Sequence, residues 1–194
     1  MITTIAVIGT TGTGKTTLVK KIEKELHRRG KTVGVVTEVA RSCPYPINED
    51  AEFYAQRWIL HQQILKELEN KSKKIDIALY DRCIIDNLVY TNYLLNQHKY
   101  VDIVELLQLT EIVRLWVKNY DYIILMPLNP KYLKEDGVRS TDLNFAKEID
   151  ILIRQIVKDF NIHVIKYRKN FNINNFCDKF SQRKKVRVID RKRR

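Results

Sequence analysis

Apolar positions along this chain follow two rhythms. Ile5 to Ile8 form a short unbroken apolar run, the pattern of a strand covered on both faces. Leu18, Val19, Ile22 and Leu26 then recur at helical spacing, and Gly30 sits where a helix commonly ends. The alternation continues. Residues 3–8 and about 14–29 are predicted as the first strand and helix, and Val33, Val35 and Val36 mark a second strand. A loop with Pro44 and Pro46 leads to a predicted helix over about 50–69, with Tyr54, Trp58, Ile59, Leu65 and Leu68 available for a buried face. Ile75, Ile77, Ala78 and Leu79 run into Asp81 as a third strand, followed by helices over about 83–96 and 101–118. Tyr122 to Leu125 form a fourth strand, closed by Pro127, and a polar loop spans about 128–142. Asp142 is placed to cap a helix whose Ala146, Ile149, Ile153, Ile156 and Phe160 lie on one stripe. Ile162, Val164 and Ile165 make a fifth strand before a short helix near 172–181. This order predicts an α/β domain with a mostly parallel sheet, whose ligands bind at the strand C-terminal ends.

The loop after the first strand carries the clearest chemistry. Gly9-Thr10-Thr11-Gly12-Thr13-Gly14-Lys15-Thr16-Thr17 fits G-x-x-x-x-G-K-[ST], between a strand and a helix as the phosphate-binding P-loop requires. Gly9, Gly12 and Gly14 allow a tight turn whose N–H groups face inward, and Thr11, Thr13 and Thr17 complete the cradle. The helix N-terminus adds partial positive charge. Lys15 is expected to reach the β- and γ-phosphates of ATP, and Thr16 to ligate Mg²⁺.

Absent motifs narrow the class. A GTPase places Asn-Lys-x-Asp after a strand, but Leu128-Asn129-Pro130-Lys131 stands there; Asp-x-x-Gly is replaced by Asp81-Arg82-Cys83-Ile84. An ATP hydrolase usually sets a Glu beside the strand-end Asp to activate water. Here the neighbour is Arg82, which stays protonated and cannot act as a base. The pattern therefore points to phosphoryl transfer to an acceptor other than water. Glu38 ends the second strand, expected beside the first, and is the candidate base for an acceptor hydroxyl. Arg41 is placed to hold the substrate or orient that carboxylate. Asp81 is the expected ligand on the Mg²⁺ side, and Arg82 either bridges acceptor and phosphoryl group or pairs with Asp81. Lys134 to Asp142 has the makings of a lid, with Gly137 as its flexible point and Arg139 to swing onto the transferring phosphate. Tyr45, Tyr54, Trp58 and Tyr90 are candidates for stacking an aromatic base. Lys166 to Phe171 follow the fifth strand, where the adenine of a nucleotide is expected.

The chain has 194 residues and predicts one domain over 1–182 with a basic tail over 183–194. Eight basic residues against Asp190 put +7 of the net +12 in the last twelve residues, leaving +5 for the rest. Such a tail suits polyanions, either nucleic acid or anionic lipid, or serves as a solvated end. Cys43, Cys83 and Cys177 are too few and too scattered for a disulfide framework or a zinc site. With no apolar run of membrane length and a core strand at the N-terminus, a cytoplasmic protein without a signal peptide is expected.

With these residues in view the chain resembles the small P-loop nucleoside and nucleotide kinases. It is similar to the P-loop kinase-like family that includes the nicotinamide riboside kinase domain of the bacterial NAD-metabolism regulator. The likeness rests on Gly9–Thr17, Thr37-Glu38-Val39-Ala40-Arg41 and Asp136-Gly137-Val138-Arg139. Tyr80-Asp81-Arg82-Cys83-Ile84-Ile85-Asp86-Asn87 also resembles a segment of deoxynucleoside and thymidylate kinases. The resemblance covers roughly residues 2–170. It implies a three-layer sandwich with a five-stranded sheet ordered 2-3-1-4-5 and a helical lid. It further implies Glu38 as base, Asp81 as the acid on the magnesium side and Arg139 as the lid arginine. The expected activity is ATP- and Mg²⁺-dependent phosphoryl transfer to a small nucleoside or nucleotide. Two alternatives remain at this level: a polynucleotide 5′-kinase, and a nucleotide-dependent module that binds polyanions through its tail. The acceptor, the choice of ATP or GTP, and whether the chain forms a homodimer are left open.

Overall fold

The computed structural model describes residues 2–133 and 140–180. Its elements, in chain order, are β1 (Thr3–Ile8), α1 (Lys15–Arg28), β2 (Val33–Val36), α2 (Phe53–Lys71), β3 (Ile77–Asp81), α3 (Ile84–Asn96), α4 (Ile103–Trp116), β4 (Tyr122–Leu125), α5 (Leu143–Asp159), β5 (Ile165–Lys166) and α6 (Ile173–Asp178). The five strands form one parallel sheet in the order β2-β3-β1-β4-β5. In register, Val7 lies opposite Asp81 on one side and Ile124 on the other.

The strand period of two divides the core into two layers. Ala6, Ile8, Ala78, Tyr80, Ile123 and Leu125 face α2, α3, α4 and α5. Ile5, Val7, Ile77, Leu79 and Ile124 face α1 and α6. Both faces are covered, so Ile5 to Ile8 are fully buried, as their unbroken apolar run requires. The stripe on α5 buries Ile149, Ile153 and Ile156, each contributing roughly 1.5–3 kcal/mol relative to exposure.

Local signals set the helix ends. Gly30, in the left-handed region at φ 70°, donates its N–H to His27 O at 2.9 Å and closes α1. Asp142 Oδ1 accepts from the N–H groups of Asn144 and Phe145 at 2.6 and 3.0 Å and opens α5. The second helix begins at Phe53, not at 50, because a 3₁₀ turn over Asn48–Asp50 and an extended Glu52 precede it.

Two expectations are corrected. β3 lies between β2 and β1, so Glu38, just past β2, is one strand further from the P-loop than adjacency implied. The fifth strand pairs only over Ile165–Lys166. Asn161, at φ 49°, turns the chain after α5, and Ile162 N–H is spent on Val157 O, so Ile162 and Val164 fall short of the ladder. Lys134 to Arg139, including Gly137 and the lid arginine, and the tail 183–194 lie outside the described residues. Among the described residues no helix is long and apolar enough to cross a membrane.

Candidate active site

The P-loop wraps the N-terminus of α1. Gly9, Gly12 and Gly14 have φ of 149°, 63° and 82°, conformations that side chains resist. At Gly12 space is also short: a Cβ would lie 2.6 Å from Leu133 Cδ2 and 3.0 Å from Leu133 N. Leu133 therefore packs directly on the loop, and Thr11 Oγ1 donates to Ser140 O at 3.4 Å. Thr13 Oγ1 donates to Thr10 O at 3.0 Å, while Thr17 is exposed. Lys15 is 4% exposed, and its Nζ donates to Thr10 O at 2.6 Å and to Thr13 Oγ1 at 3.3 Å. Burial, and then the Arg82 charge, push its pKa down to about 7, while Glu38, Asp86 and Asp81 pull the other way.

Thr16, on the first turn of α1, donates to Asp81 Oδ2 at 2.6 Å. The other carboxylate oxygen, Asp81 Oδ1, is buried without a hydrogen-bond partner among the described residues. Among those residues no three His, Cys, Asp or Glu side chains converge as a metal cluster.

Arg82 turns the other way. It sits at φ 79°, a strained conformation for a side chain this long, between the end of β3 and the start of α3. The turn aims its guanidinium at two carboxylates: Nε meets Glu38 Oε1 at 2.5 Å and Nη1 meets Asp86 Oδ1 at 2.7 Å. Nη1 also donates to Gly9 O at 3.4 Å, and the guanidinium lies 5.8 Å from the Tyr90 ring centroid. Asp86 does double service, because its Oδ2 accepts from Cys83 N–H in a capping box that starts α3. Arg41 Nε meets the second oxygen of Glu38 at 3.1 Å. Arg82 thus bridges Glu38 and Asp86, while Asp81 faces Thr16; the Asp81–Arg82 pairing considered from sequence is replaced by these two separate contacts.

Beyond Glu38 a cleft opens between the loop after β2, α2 and the start of α3. Its polar lining contains Gln56, Gln63 and Asn87, each 3% exposed or less. Its charged lining is Glu38, Arg41, Arg82 and Asp86, two of each sign. The Tyr90 phenol and the Cys83 thiol also line it, and burial holds both neutral by raising their pKa.

Tyr54 and Trp58, expected from sequence to stack a base, are not among the residues that line this cleft. The cleft face of α2 carries Gln56, Ile59 and Gln63, and residues 54 and 58 share a stripe that points elsewhere. Tyr54 is 45% exposed and meets Tyr45 edge-on at 4.7 Å, while Trp58 packs against the hydrophobic core. Gln56 and Gln63 escaped the sequence reading, and Asp86 and Asn87 entered it only within the Tyr80–Asn87 segment, with no role of their own. Their signals were present but faint: Gln56 and Gln63 are two helical turns apart, and Asp86 is one turn beyond Arg82.

Below the cleft lies a second buried cluster. Glu67, fully buried, accepts from Gln63 Nε2 at 2.9 Å, Tyr120 OH at 2.7 Å and Trp116 Nε1 at 2.8 Å. Burial pushes its pKa up, and the three donors pull it back.

A family model described as an AAA domain matches residues 4–172. The chain belongs to this AAA-domain family. Among solved structures it is similar to deoxyadenosine kinase from M. mycoides with bound dATP, at 17% identity, covering 93% of this chain and 100% of that one with a TM-score of 0.67. The same kinase with bound dCTP gives 18% identity, 91% and 95% coverage and a TM-score of 0.64. NadR protein in complex with NR gives 18% identity and a TM-score of 0.67, covering 91% of this chain and 50% of that one. No curated protein matches the chain. The fold of this AAA-domain chain is that of the small P-loop kinases.

Proposed function

We propose that this AAA-domain chain is a kinase that transfers the γ-phosphoryl group of ATP to a hydroxyl of an uncharged nucleoside. The observation that carries the reading is the placement of Glu38, with its carboxylate between the P-loop side of the site and a charge-balanced, carboxamide-lined cleft. A nucleoside monophosphate would bring about two negative charges, which call for cations beyond those already matched by carboxylates. Arg41 and Arg82 are matched by Glu38 and Asp86, so a neutral acceptor fits the cleft better. The likeness in fold to deoxyadenosine kinase supports a nucleoside as acceptor.

In this reading Glu38 takes the proton of the acceptor hydroxyl as its oxygen bonds to the γ-phosphorus. The bond from that phosphorus to the bridging oxygen breaks, and ADP leaves with the electron pair. Oε2, whose Arg41 contact is the longer of the two, is the oxygen that turns to the hydroxyl. Arg82 holds the other oxygen and fixes the carboxylate's direction. Lys15 gives up Thr10 O for phosphate oxygens, whose negative charge keeps it protonated despite its burial. Thr16 Oγ1 and the unpartnered Asp81 Oδ1 fit the oxygen-ligand preference of Mg²⁺, directly or through water. When bound, that ion supplies charge neutralisation across the phosphates. Arg139 is proposed to add a further positive charge to the transferring group.

The test is ADP release with Mg²⁺-ATP against ribo- and deoxynucleosides, nicotinamide riboside, nucleoside monophosphates and 5′-hydroxyl oligonucleotides. The expected result is turnover with uncharged nucleosides that falls about 10²–10⁴-fold in Glu38→Gln. Turnover confined to monophosphates or oligonucleotides overturns the charge argument, and turnover unaffected by Glu38→Gln removes Glu38 as base.

A further inference from the structure

We infer that buried Glu67, held by Tyr120 and Trp116, locks the Gln63 carboxamide in one orientation and so selects nucleosides whose base carries its amino group beside a bare ring nitrogen, as 6-aminopurines and 4-aminopyrimidines do. The inference rests on the reading of the cleft as a nucleoside site.

The argument is one of hydrogen-bond direction. Trp116 Nε1 can only donate, and it is 2.8 Å from Glu67 Oε2. The Tyr120 oxygen accepts from Ile84 N–H at 3.4 Å, so its own hydrogen is the one directed at Glu67 Oε1, 2.7 Å away. Two groups from outside α2 therefore present hydrogens to Glu67 and define it as an acceptor. Gln63, one turn earlier on α2, also meets Oε1, at 2.9 Å. To the ionised carboxylate it must offer its NH₂. Turning its carbonyl toward Glu67 would set two acceptors against each other in a buried site, where neither reaches water.

The cleft sees the remainder of that amide. Gln63 is 3% exposed and lines the cleft, yet Nε2 to Glu67 is its one side-chain hydrogen bond among the described residues. Its Oε1 is not among the buried polar atoms sealed off without a partner. An acceptor beside one remaining N–H complements a base edge with an amino N–H beside a bare ring nitrogen. Adenine-type and cytosine-type bases offer that edge, whereas 6-oxopurines and 4-oxopyrimidines offer the reverse, a carbonyl beside a ring N–H. Gln56 also lines the cleft, and its carboxamide makes no hydrogen bond among the described residues. It is able to turn for either edge, so the selection falls on Gln63.

Adenosine against inosine, and cytidine against uridine, differ at this edge alone. We would measure Kd by calorimetry and kcat/KM by ADP release for both pairs, as ribo- and deoxynucleosides, on the full chain. The expected wild-type result is a preference of about tenfold or more for the amino member of each pair. Glu67→Gln is nearly isosteric but offers one acceptor and one NH₂. Trp116 claims the acceptor, the introduced NH₂ faces Gln63, and the Gln63 amide turns over. The preference should then collapse or invert, with some loss of Tm because the Tyr120 hydroxyl hydrogen then faces the introduced NH₂. Gln63→Leu, which leaves Glu67 in place, should bring both ratios toward one. A purely structural role for Glu67 would lower stability without moving these ratios. Wild-type ratios near one, ratios unmoved by both variants, or failure of either pair to bind would overturn the inference. An amino preference in binding without phosphoryl transfer would leave it standing and remove the kinase reading.

Discussion

The two halves of the site are built from different materials. On the phosphate side the backbone does most of the shaping: three glycines at positive φ, a helix N-terminus and one lysine within seven residues of sequence. On the acceptor side nearly everything is side chain, gathered from positions 38 to 90 on three elements and held by paired charges and carboxamides. The difference teaches where each half is fragile. The phosphate side should fail through backbone strain and lost space, and the acceptor side through stranded charges and misdirected amides.

The largest effect should come from Arg82. Its guanidinium, 8% exposed as a residue, satisfies Glu38 and Asp86 together. Arg82→Met would leave two buried carboxylates without their shared partner, at a cost of about 3–5 kcal/mol. Urea denaturation should show that loss, and phosphoryl transfer should fall with it because Glu38 loses its direction. Wild-type stability in this variant would mean that the charges on the acceptor side are not what holds it together.

A smaller and opposite pattern is expected at Gly12. Gly12→Ala meets both a φ of 63° and the Leu133 side chain at 2.6 Å. Nucleotide binding should weaken by about 1–3 kcal/mol, while nucleoside binding in the cleft stays as it was. Equilibrium titrations of the two ligands separate the outcomes. Equal loss of both would erase the distinction between the halves.

That distinction also explains what was legible in the sequence. The sheet and its helices follow from local periodicity, so Ile5–Ile8, the α5 stripe, Asp142 and Gly30 could be read directly. The P-loop could be read for the same reason, because its geometry is written in consecutive residues. Glu38, Asp81 and Arg82 could be picked out as polar residues at strand ends. Arg41 as a partner for Glu38 could be read too, being three residues on, but the Arg82 contacts could not, since Arg82 to Glu38 spans 44 residues and depends on one strained φ. On α2 the aromatic side chains of Tyr54 and Trp58 suggested ligand stacking. Helix rotation puts Gln56, Ile59 and Gln63 over the cleft, and the bulk of an aromatic ring does not show which face of a helix it occupies. Glu67 was hidden further, because nothing in sequence shows that Trp116 and Tyr120 come to meet it.

Far from both halves, the end of α1 gives a control for backbone strain alone. Gly30 has φ 70°, but a Cβ there would meet nothing within 4 Å. Gly30→Ala should cost about 1 kcal/mol of stability, seen as a lower urea midpoint with unchanged slope, and leave both ligand affinities intact. Its comparison with Gly12→Ala isolates what Leu133 contributes, since the two positions share the φ penalty and differ in space.

The smallest effect is electrostatic and lies on the same helix end. Glu25 bonds both Arg28 and Arg29, and the Arg28 hydrogen bond foremost holds its pKa down to about 2, from an ordinary 4.5. Arg29 in turn donates to Asn174 O and pairs with Asp178 at α6, so the carboxylate steadies the contact between the two helices. A depressed folded pKa means that the unfolded chain binds the proton first as pH falls. The Glu25 contribution is therefore complete above about pH 4.5 and is lost as pH drops toward 2. Glu25→Gln should flatten that part of the acid-unfolding curve and change nothing at neutral activity. If the wild-type and variant curves fall in parallel between pH 4.5 and 2, the α1–α6 contact rests on packing around Phe176, not on this charge pair.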